Sequence, residues 1–403
     1  MIDFSLTEEQ ILLQKTARDF AQREVKPVAA EYDKKQDPAA AVIPWNHPIY
    51  QKASQLGLGR IMLPEELGGA DLGCLGLVIA LEEFAAADAG FAVVINNCNQ
   101  MTLSILNNGS EELRKWLLKE LASLDLSFAM SIMEPDAGGV DQMYVGPDRD
   151  IGITTYARRD KNGDYILNGT KAAFCTNAGQ AEYYLILART DLNKPAWQSS
   201  TMFFVPADTP GFTVGKVTPR LGWRCVAQAE LYLDDVRVPE EYRIGDEGKG
   251  MEPSGFGLPN ASASTVLGIG RAAFEYALDY AKQRKTWGQR MINHTPVSML
   301  LAEMQMQIEA ARLLVWRAAW LNDIHRDPNS KYYRVPYYHS KTAMSKLFAA
   351  EAALWVSEKA IEIMGCYGTS QELPVEKCLR DAMMLKFACG SRNMKLLEMA
   401  TEL

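Results

Sequence analysis

The sequence predicts a mostly α protein with a central β domain: an N-terminal helical domain, a small β-barrel-like domain and a C-terminal four-helix bundle. Three observations predict it. Residues 1–125 carry apolar side chains at helical spacing, the period shortens to that of strands from Ser127, and the helical period returns at Ser262. The composition shifts put the domains at 1–125, 126–243 and 244–403 of the 403 residues.

In the first part, Thr7-Glu8-Glu9-Gln10 is a capping box ahead of Ile11, Leu12, Leu13, Ala17 and Phe20, so a helix starts there. A glycine-rich connection spans Gly57–Gly73. Leu77–Ala87 and Phe91–Leu106 read as helices interrupted by Asp88-Ala89-Gly90, and Ser110 with Glu111 and Glu112 opens another. The middle part shows β-rich runs at Ile151–Arg158, Asp164–Leu167, Tyr183–Ala188, Thr201–Val205 and Ala229–Val238, with Asn162-Gly163 as a hairpin signal. A polar glycine-rich linker, Gly245–Gly250, precedes the last part. There Ile269–Arg284, Val297–Leu321, His339–Met364 and Asp381–Leu403 are long enough for antiparallel bundle helices.

Bulk properties narrow the function. The net charge of −8 argues against nucleic acid or an anionic membrane as partner, since both reward basic patches. No apolar run approaches the roughly 18–20 residues of a membrane span. The seven cysteines form no CxxC pair and the four histidines no cluster, so no metal site is expected. Scattered thiols in a long chain suggest a reducing cytoplasmic compartment.

The stretch Ile363–Asn393 stands out. It holds two glycine turns, Gly365-Cys366-Tyr367-Gly368 and Cys389-Gly390-Ser391, each closing a helix, with an acid/base-dense helix between them. Such turns suit backbone brought close to a ligand, although glycines after helices are also ordinary C-caps.

The pattern Gly365-x-x-Gly368 followed by Pro374-Val375-Glu376-Lys377 and Arg380-Asp381-Ala382 resembles the flavin-linked acyl-CoA dehydrogenases. Four further segments agree in order: Leu63–Gly69 (LPEELGG), Met133–Gly139 (MEPDAGG), Leu167–Lys171 with Phe174–Asn177 (LNGTK, FCTN), and Arg284–Gly288 (RKTWG). The resemblance covers nearly the whole chain. It implies an FAD cofactor between the β domain and the bundle, completed by a neighbouring subunit of a homotetramer. It further implies an acyl-CoA substrate and an electron-transfer flavoprotein as redox partner.

By that resemblance, Thr176 gives its hydroxyl to the flavin ring, and Phe174 stands where tryptophan is usual. Met130, Ile132, Met133, Gly138 and Gly139 match the strand and loop lining the flavin, with Met133 replacing threonine and Gly139 serine. Arg284 matches the arginine that meets a partner subunit's pyrophosphate, a role suited to guanidinium. Thr286, Trp287 and His294 extend that contact. Glu362 stands for glutamine, Gly365 and Cys366 belong to the same loop, and Ser391 and Asn393 stand for threonine and glutamine. Asn96, Gly139, Ala388 and Gly390 are the matched substrate positions.

The family usually places its catalytic glutamate just before Gly-Thr in the terminal motif, which here is Cys389. An alternative place, at the start of the first bundle helix, falls near Leu258-Pro259. Neither is acidic. Cys389 is then either a thiolate base or an inert thiol whose backbone N–H holds the thioester oxygen. Asp88 is the candidate replacement base, with an N-cap of the helix from Phe91 as the plainer alternative. Ala388 replaces a usual aromatic and leaves room for a bulky acyl group, and members acting on cyclic acyl-CoAs also lack the glutamate. Three readings follow: a dehydrogenase of a cyclic, branched or unsaturated acyl-CoA with a displaced base; a non-redox lyase such as a sulfinyl-acyl-CoA desulfinase; and a base-less partner subunit in a mixed oligomer.

Overall fold

Thr7 begins the ordered architecture as expected. Its hydroxyl accepts the Gln10 N–H at 3.2 Å while the Gln10 side chain accepts the Thr7 N–H at 3.1 Å, so two orphan donors of the first turn are satisfied. The computed structural model describes residues 5–121, 126–142, 146–250, 260–326, 338–400 and 402–403. Helix α1 (Glu8–Phe20) passes through a π-helical turn, Ala21–Val25, into α2 (Lys26–Tyr32). Then come α3 (Pro48–Gln55), α4 (Gly73–Ala87), α5 (Ala89–Asn108) and α6 (Glu111–Leu121). Ser110 caps α6, its hydroxyl accepting the Leu113 N–H at 3.0 Å.

The middle of the chain forms β1 (Phe128–Ser131), the short α7 (Gly139–Gln142), β2 (Tyr156–Arg159), β3 (Tyr165–Thr176) and β4 (Tyr183–Arg189). It continues through α8 (Ala196–Ser199), β5 (Ser200–Pro206), β6 (Phe212–Val214), β7 (Gln228–Val238) and β8 (Arg243–Ile244). These strands make one eight-stranded sheet in the order β6-β7-β3-β2-β4-β5-β8, with β1 parallel to β4. The turn between β2 and β3 falls at Asn162-Gly163, where Gly163 takes φ +97°.

The expected barrel is not formed: the sheet does not close. Its edge strands are only three residues (β6) and two residues (β8) long, too short to pair into a continuous seam. One face is covered instead by helices, where Met101, Ile105, Leu113 and Leu117 pack on Phe128, Leu185, Met202 and Phe204. The strands β6 and β8 escaped sequence reading because two or three residues carry no measurable alternation, and β1 was met only through the resemblance at Met130.

The last region contains α9 (Asn260–Gln283), a hairpin of β9 (Lys285–Thr286) and β10 (Gln289–Arg290), α10 (Thr295–Arg326) and α11 (Tyr338–Met364). It ends with α12 (Val375–Phe387) and α13 (Arg392–Ala400), so the segment read as one helix from Asp381 is two, parted at residues 388–391. The helices of the first and last regions share a single apolar core that includes Phe84, Phe91, Leu267, Ile308, Val356 and Leu385. Burial at roughly 25 cal/mol per Å² makes that core the main source of cohesion between chain regions far apart in sequence.

One close approach sets the frame of the site. The chain between β6 and β7 lies directly on α12: a Cβ at Gly222 would sit 2.5 Å from the Arg380 carbonyl oxygen. Only glycine permits that contact, because a backbone carbonyl cannot move aside as a flexible side chain does.

Candidate active site

The acid/base-dense helix α12 is fixed by ion pairs to two distant parts of the chain and a hydrogen bond to a third. Lys377 Nζ lies 2.8 Å from Asp88 and 2.5 Å from Asp381, both carboxylates being buried. Asp381 in turn accepts the Trp223 N–H at 2.7 Å. Arg380 pairs with Asp33 and, one turn back, with Glu376. Burial alone would push the Lys377 ammonium pKa down, but the carboxylates of Asp381 and Asp88 hold it well above the ordinary lysine range. A buried lysine between two buried carboxylates is tolerable only as a network, since removing one partner strands a charge.

At its other end α12 stops at the turn that the sequence singled out. Ala388 still donates its N–H to Met384 O, and then Cys389 (φ +56°) and Gly390 (φ +102°) take left-handed backbone in succession. A non-glycine residue adopts that conformation only when its surroundings hold it there. The Cys389 side chain is exposed. Ser391 and Asn393 follow at the start of α13, whose Met394 sulfur sits where a Cβ on Gly139 would be, at 2.4 Å. The terminal turn and the loop after β1 are thereby brought together.

Across from them lies the face of β1 and β3. Phe174 is 59% exposed, an unusual state for phenylalanine, and the Arg220 guanidinium stacks on its ring at 4.5 Å. Thr176 accepts a hydrogen bond from the Gln228 amide at 3.0 Å, and a hydroxyl that accepts in this way still has its own O–H proton to donate. The loop after β1 is anchored from beneath. Lys171 Nζ reaches Glu134 at 2.7 Å and the Ile132 carbonyl at 3.3 Å, and Glu134 also accepts N–H groups of Thr154 and Thr155. The Met133 carbonyl accepts the Ala172 N–H, and the Met130 carbonyl accepts a weak contact from Cys175 Sγ at 3.6 Å. Gly138 spends its N–H on Asp141.

A second cluster gathers on the hairpin after α9. His294 Nε2 approaches the Thr286 carbonyl at 2.9 Å and its hydroxyl at 3.2 Å, which locks the hairpin that presents Trp287 at 98% exposure. Arg284, also exposed, has its carbonyl bonded by Met291 N–H. Tyr367 of the Gly365-Cys366 turn stands 6.5 Å from Tyr280 near the end of α9, so that turn belongs with this cluster. Glu362, which stands for a usual glutamine, pairs with Lys359 at 2.8 Å, so its negative charge is offset.

Comparison with known proteins agrees with this layout along the whole chain. Residues 7–125 match the acyl-CoA dehydrogenase N-terminal domain, 129–236 the middle domain and 261–403 the C-terminal domain. The short-chain specific acyl-CoA dehydrogenase of mouse mitochondria is 33% identical over 403 residues, covering 99% of this chain and 90% of that protein. This chain belongs to the acyl-CoA dehydrogenase family. Butyryl-CoA dehydrogenase from Megasphaera elsdenii has a similar solved structure, with TM-score 0.86 and 31% identity over 100% of this chain and 99% of that one. A chain from a structure of the electron transferring flavoprotein of Acidaminococcus fermentans superimposes with TM-score 0.87 at 29% identity, covering 100% and 99%. Acyl-CoA dehydrogenases are FAD-dependent flavoprotein oxidoreductases acting on CH–CH donors.

The residues present fit a flavin. Thr176, the exposed Phe174 ring and Arg220, whose Nε and Nη2 are buried without a hydrogen-bond partner among the described residues, gather on one face. A buried orphan donor is rare in a folded protein and marks a place for an acceptor from outside the chain.

Asp88, the candidate replacement base, is fully buried with both oxygens engaged: one caps α5 by accepting the Phe91 N–H at 2.7 Å, and the other is paired with Lys377. Asn96 lies on α5 and accepts from the Gln100 amide at 2.5 Å. The alternative base position near Leu258-Pro259 lies outside the described residues. Sequence reading missed Gln228 and Arg220, and it met Lys171 only as the last residue of the Leu167–Lys171 segment, without a role.

Proposed function

We propose that this acyl-CoA dehydrogenase acts on a cyclic, branched or unsaturated acyl-CoA with its α-proton acceptor displaced from the usual position. The observation that carries the reading is the left-handed turn at Cys389-Gly390, which keeps a main-chain N–H available for a thioester oxygen while residue 389 supplies no carboxylate. Hydrogen bonding to that oxygen stabilises negative charge developing at the α-carbon, whichever group takes the proton. Bound FAD supplies the acceptor for the hydride leaving the β-carbon. Thr176 orients it and Arg284, with Thr286, Trp287 and His294, serves the pyrophosphate of a neighbouring subunit in a homotetramer. Asn96, Gly139, Ala388 and Gly390 bound the acyl and thioester positions, the small Ala388 giving room for a ring. An electron-transfer flavoprotein as the onward acceptor is supported by the likeness to the A. fermentans chain. A cytoplasmic location is supported only by the scattered cysteines.

A second reading is favoured by the engagement of Asp88 with Lys377. In a lyase such as a desulfinase the leaving group departs without prior α-deprotonation, so no open carboxylate is required. Anaerobic mixing of the FAD-loaded protein with a panel of acyl-CoAs decides. Bleaching of oxidised flavin establishes dehydrogenation, and turnover without bleaching establishes the lyase. Silence towards every acyl-CoA, with a homologue co-purifying, makes the chain a base-less partner subunit.

A further inference from the structure

The turn that carries Cys389 is gripped by a lysine that no motif contains. Lys346, in the middle of α11, is 2% exposed, yet it has no carboxylate partner among the described residues. Its Nζ donates to the Gly390 carbonyl at 2.5 Å and to the Lys386 carbonyl at 3.4 Å. The second is one of the last carbonyls of α12, which have no partner within the helix. The first belongs to the peptide immediately after Cys389-Gly390. A neighbouring lysine behaves differently: Lys395 also packs against Gly390, but its Nζ is paired with the Glu398 carboxylate at 2.7 Å.

Burying an ammonium against carbonyls alone is costly, and a hydrophobic residue would fill the same space without that cost. What the lysine supplies is direction. It ties two carbonyls on either side of Cys389 to a rigid helix, and so fixes the peptide planes between them, including the one that carries the Cys389 N–H.

We propose that Lys346 is a positioning residue for the substrate thioester, holding the 388–391 turn so that the Cys389 N–H meets the thioester oxygen. This rests on the reading that an acyl-CoA binds there. The environment agrees: burial first, and Lys395 next to it, push the Lys346 pKa down to about 8 against the opposing pull of Cys389 and Glu398. The grip is therefore strongest below that pH and weakens as the ammonium loses its proton.

The test uses the FAD-loaded enzyme and crotonyl-CoA labelled with carbon-13 at the thioester carbonyl, whose infrared stretch falls when a donor binds its oxygen. Wild type shows a lowered band. Lys346→Met loses most of that shift and binds crotonyl-CoA about tenfold more weakly, while Lys346→Arg recovers part of the shift. In wild type the shift itself declines with a midpoint near pH 8, and this transition is absent from Lys346→Met. The wild-type titration needs no variant, so it stands even where Lys346→Met fails to fold. A full shift retained in Lys346→Met, or a wild-type band constant from pH 7 to 10, overturns the role of Lys346. Absence of any shift in wild type overturns the thioester site itself.

Discussion

The two ends of α12 are held by buried lysines in opposite ways. At the start, Lys377 stands between the carboxylates of Asp88 and Asp381, its charge matched and its pKa raised. At the finish, Lys346 meets main-chain carbonyls and, among the described residues, no carboxylate, and its pKa falls to about 8. The first arrangement fastens chain regions to each other, while the second shapes a few peptide planes. The same residue type thus serves cohesion at one end and presentation of the Cys389 amide at the other. That difference predicts which substitutions unfold the protein and which leave a folded but altered site.

The largest effect is expected at Lys377. Lys377→Met leaves two buried carboxylates facing each other and should cost about 3–5 kcal/mol of stability, read by urea or thermal unfolding. A loss below about 1 kcal/mol would erase the contrast drawn here. Next comes the pH dependence that Lys346 contributes. Its folded pKa of about 8 lies below the ordinary value of about 10.4. Between those values the unfolded chain holds the proton and the folded chain does not, so stability rises with pH across that window. Below it both states are charged and the full cost of burial is present. Wild type measured against Lys346→Met should gain up to about 3 kcal/mol between pH 8 and 10.4. A flat difference would mean that Lys346 is not a buried ammonium.

Asp88→Asn is the sharper probe of function. Asparagine keeps the α5 cap but loses the charge-assisted bond to Lys377, so about 1–3 kcal/mol should go while flavin reduction per folded molecule persists. Abolished reduction in a folded, FAD-loaded variant would restore Asp88 as the base. The smallest change in stability, within about 0.5 kcal/mol, is expected for Cys389→Glu because that side chain is exposed. This variant should acquire α,β-dehydrogenation of a simple acyl-CoA such as butyryl-CoA. A folded, FAD-loaded and fully inactive Cys389→Glu would count against residue 389 as the place of the displaced glutamate.

The order of helical, β and helical regions was legible because long segments average out local noise. The Thr7 box, the Ser110 cap and the Asn162-Gly163 turn are local chemistry, and they appear where the residues put them. The open sheet was not legible, since closure depends on edge strands of two and three residues. In the site, the turn at Cys389 announced itself through glycine. Its supports did not, because Lys346 and Lys377 meet partners up to 289 residues away and sequence carries no local trace of such pairs. Asp88 shows the same limit from the other side: its local pattern fitted both a cap and a base, and its pairing with the distant Lys377 left no trace in that pattern.

The grip of Lys346 on carbonyl groups has a consequence for how this scaffold diversifies. A support that grips the main chain places few demands on the side chain displayed there, so residue 389 can change, among residues that accept its left-handed backbone, while the peptide around it stays put. A single codon change there swaps one reactive group for another without rebuilding the cradle. Chemistry on this frame is, in that sense, interchangeable tooling on a fixed mount.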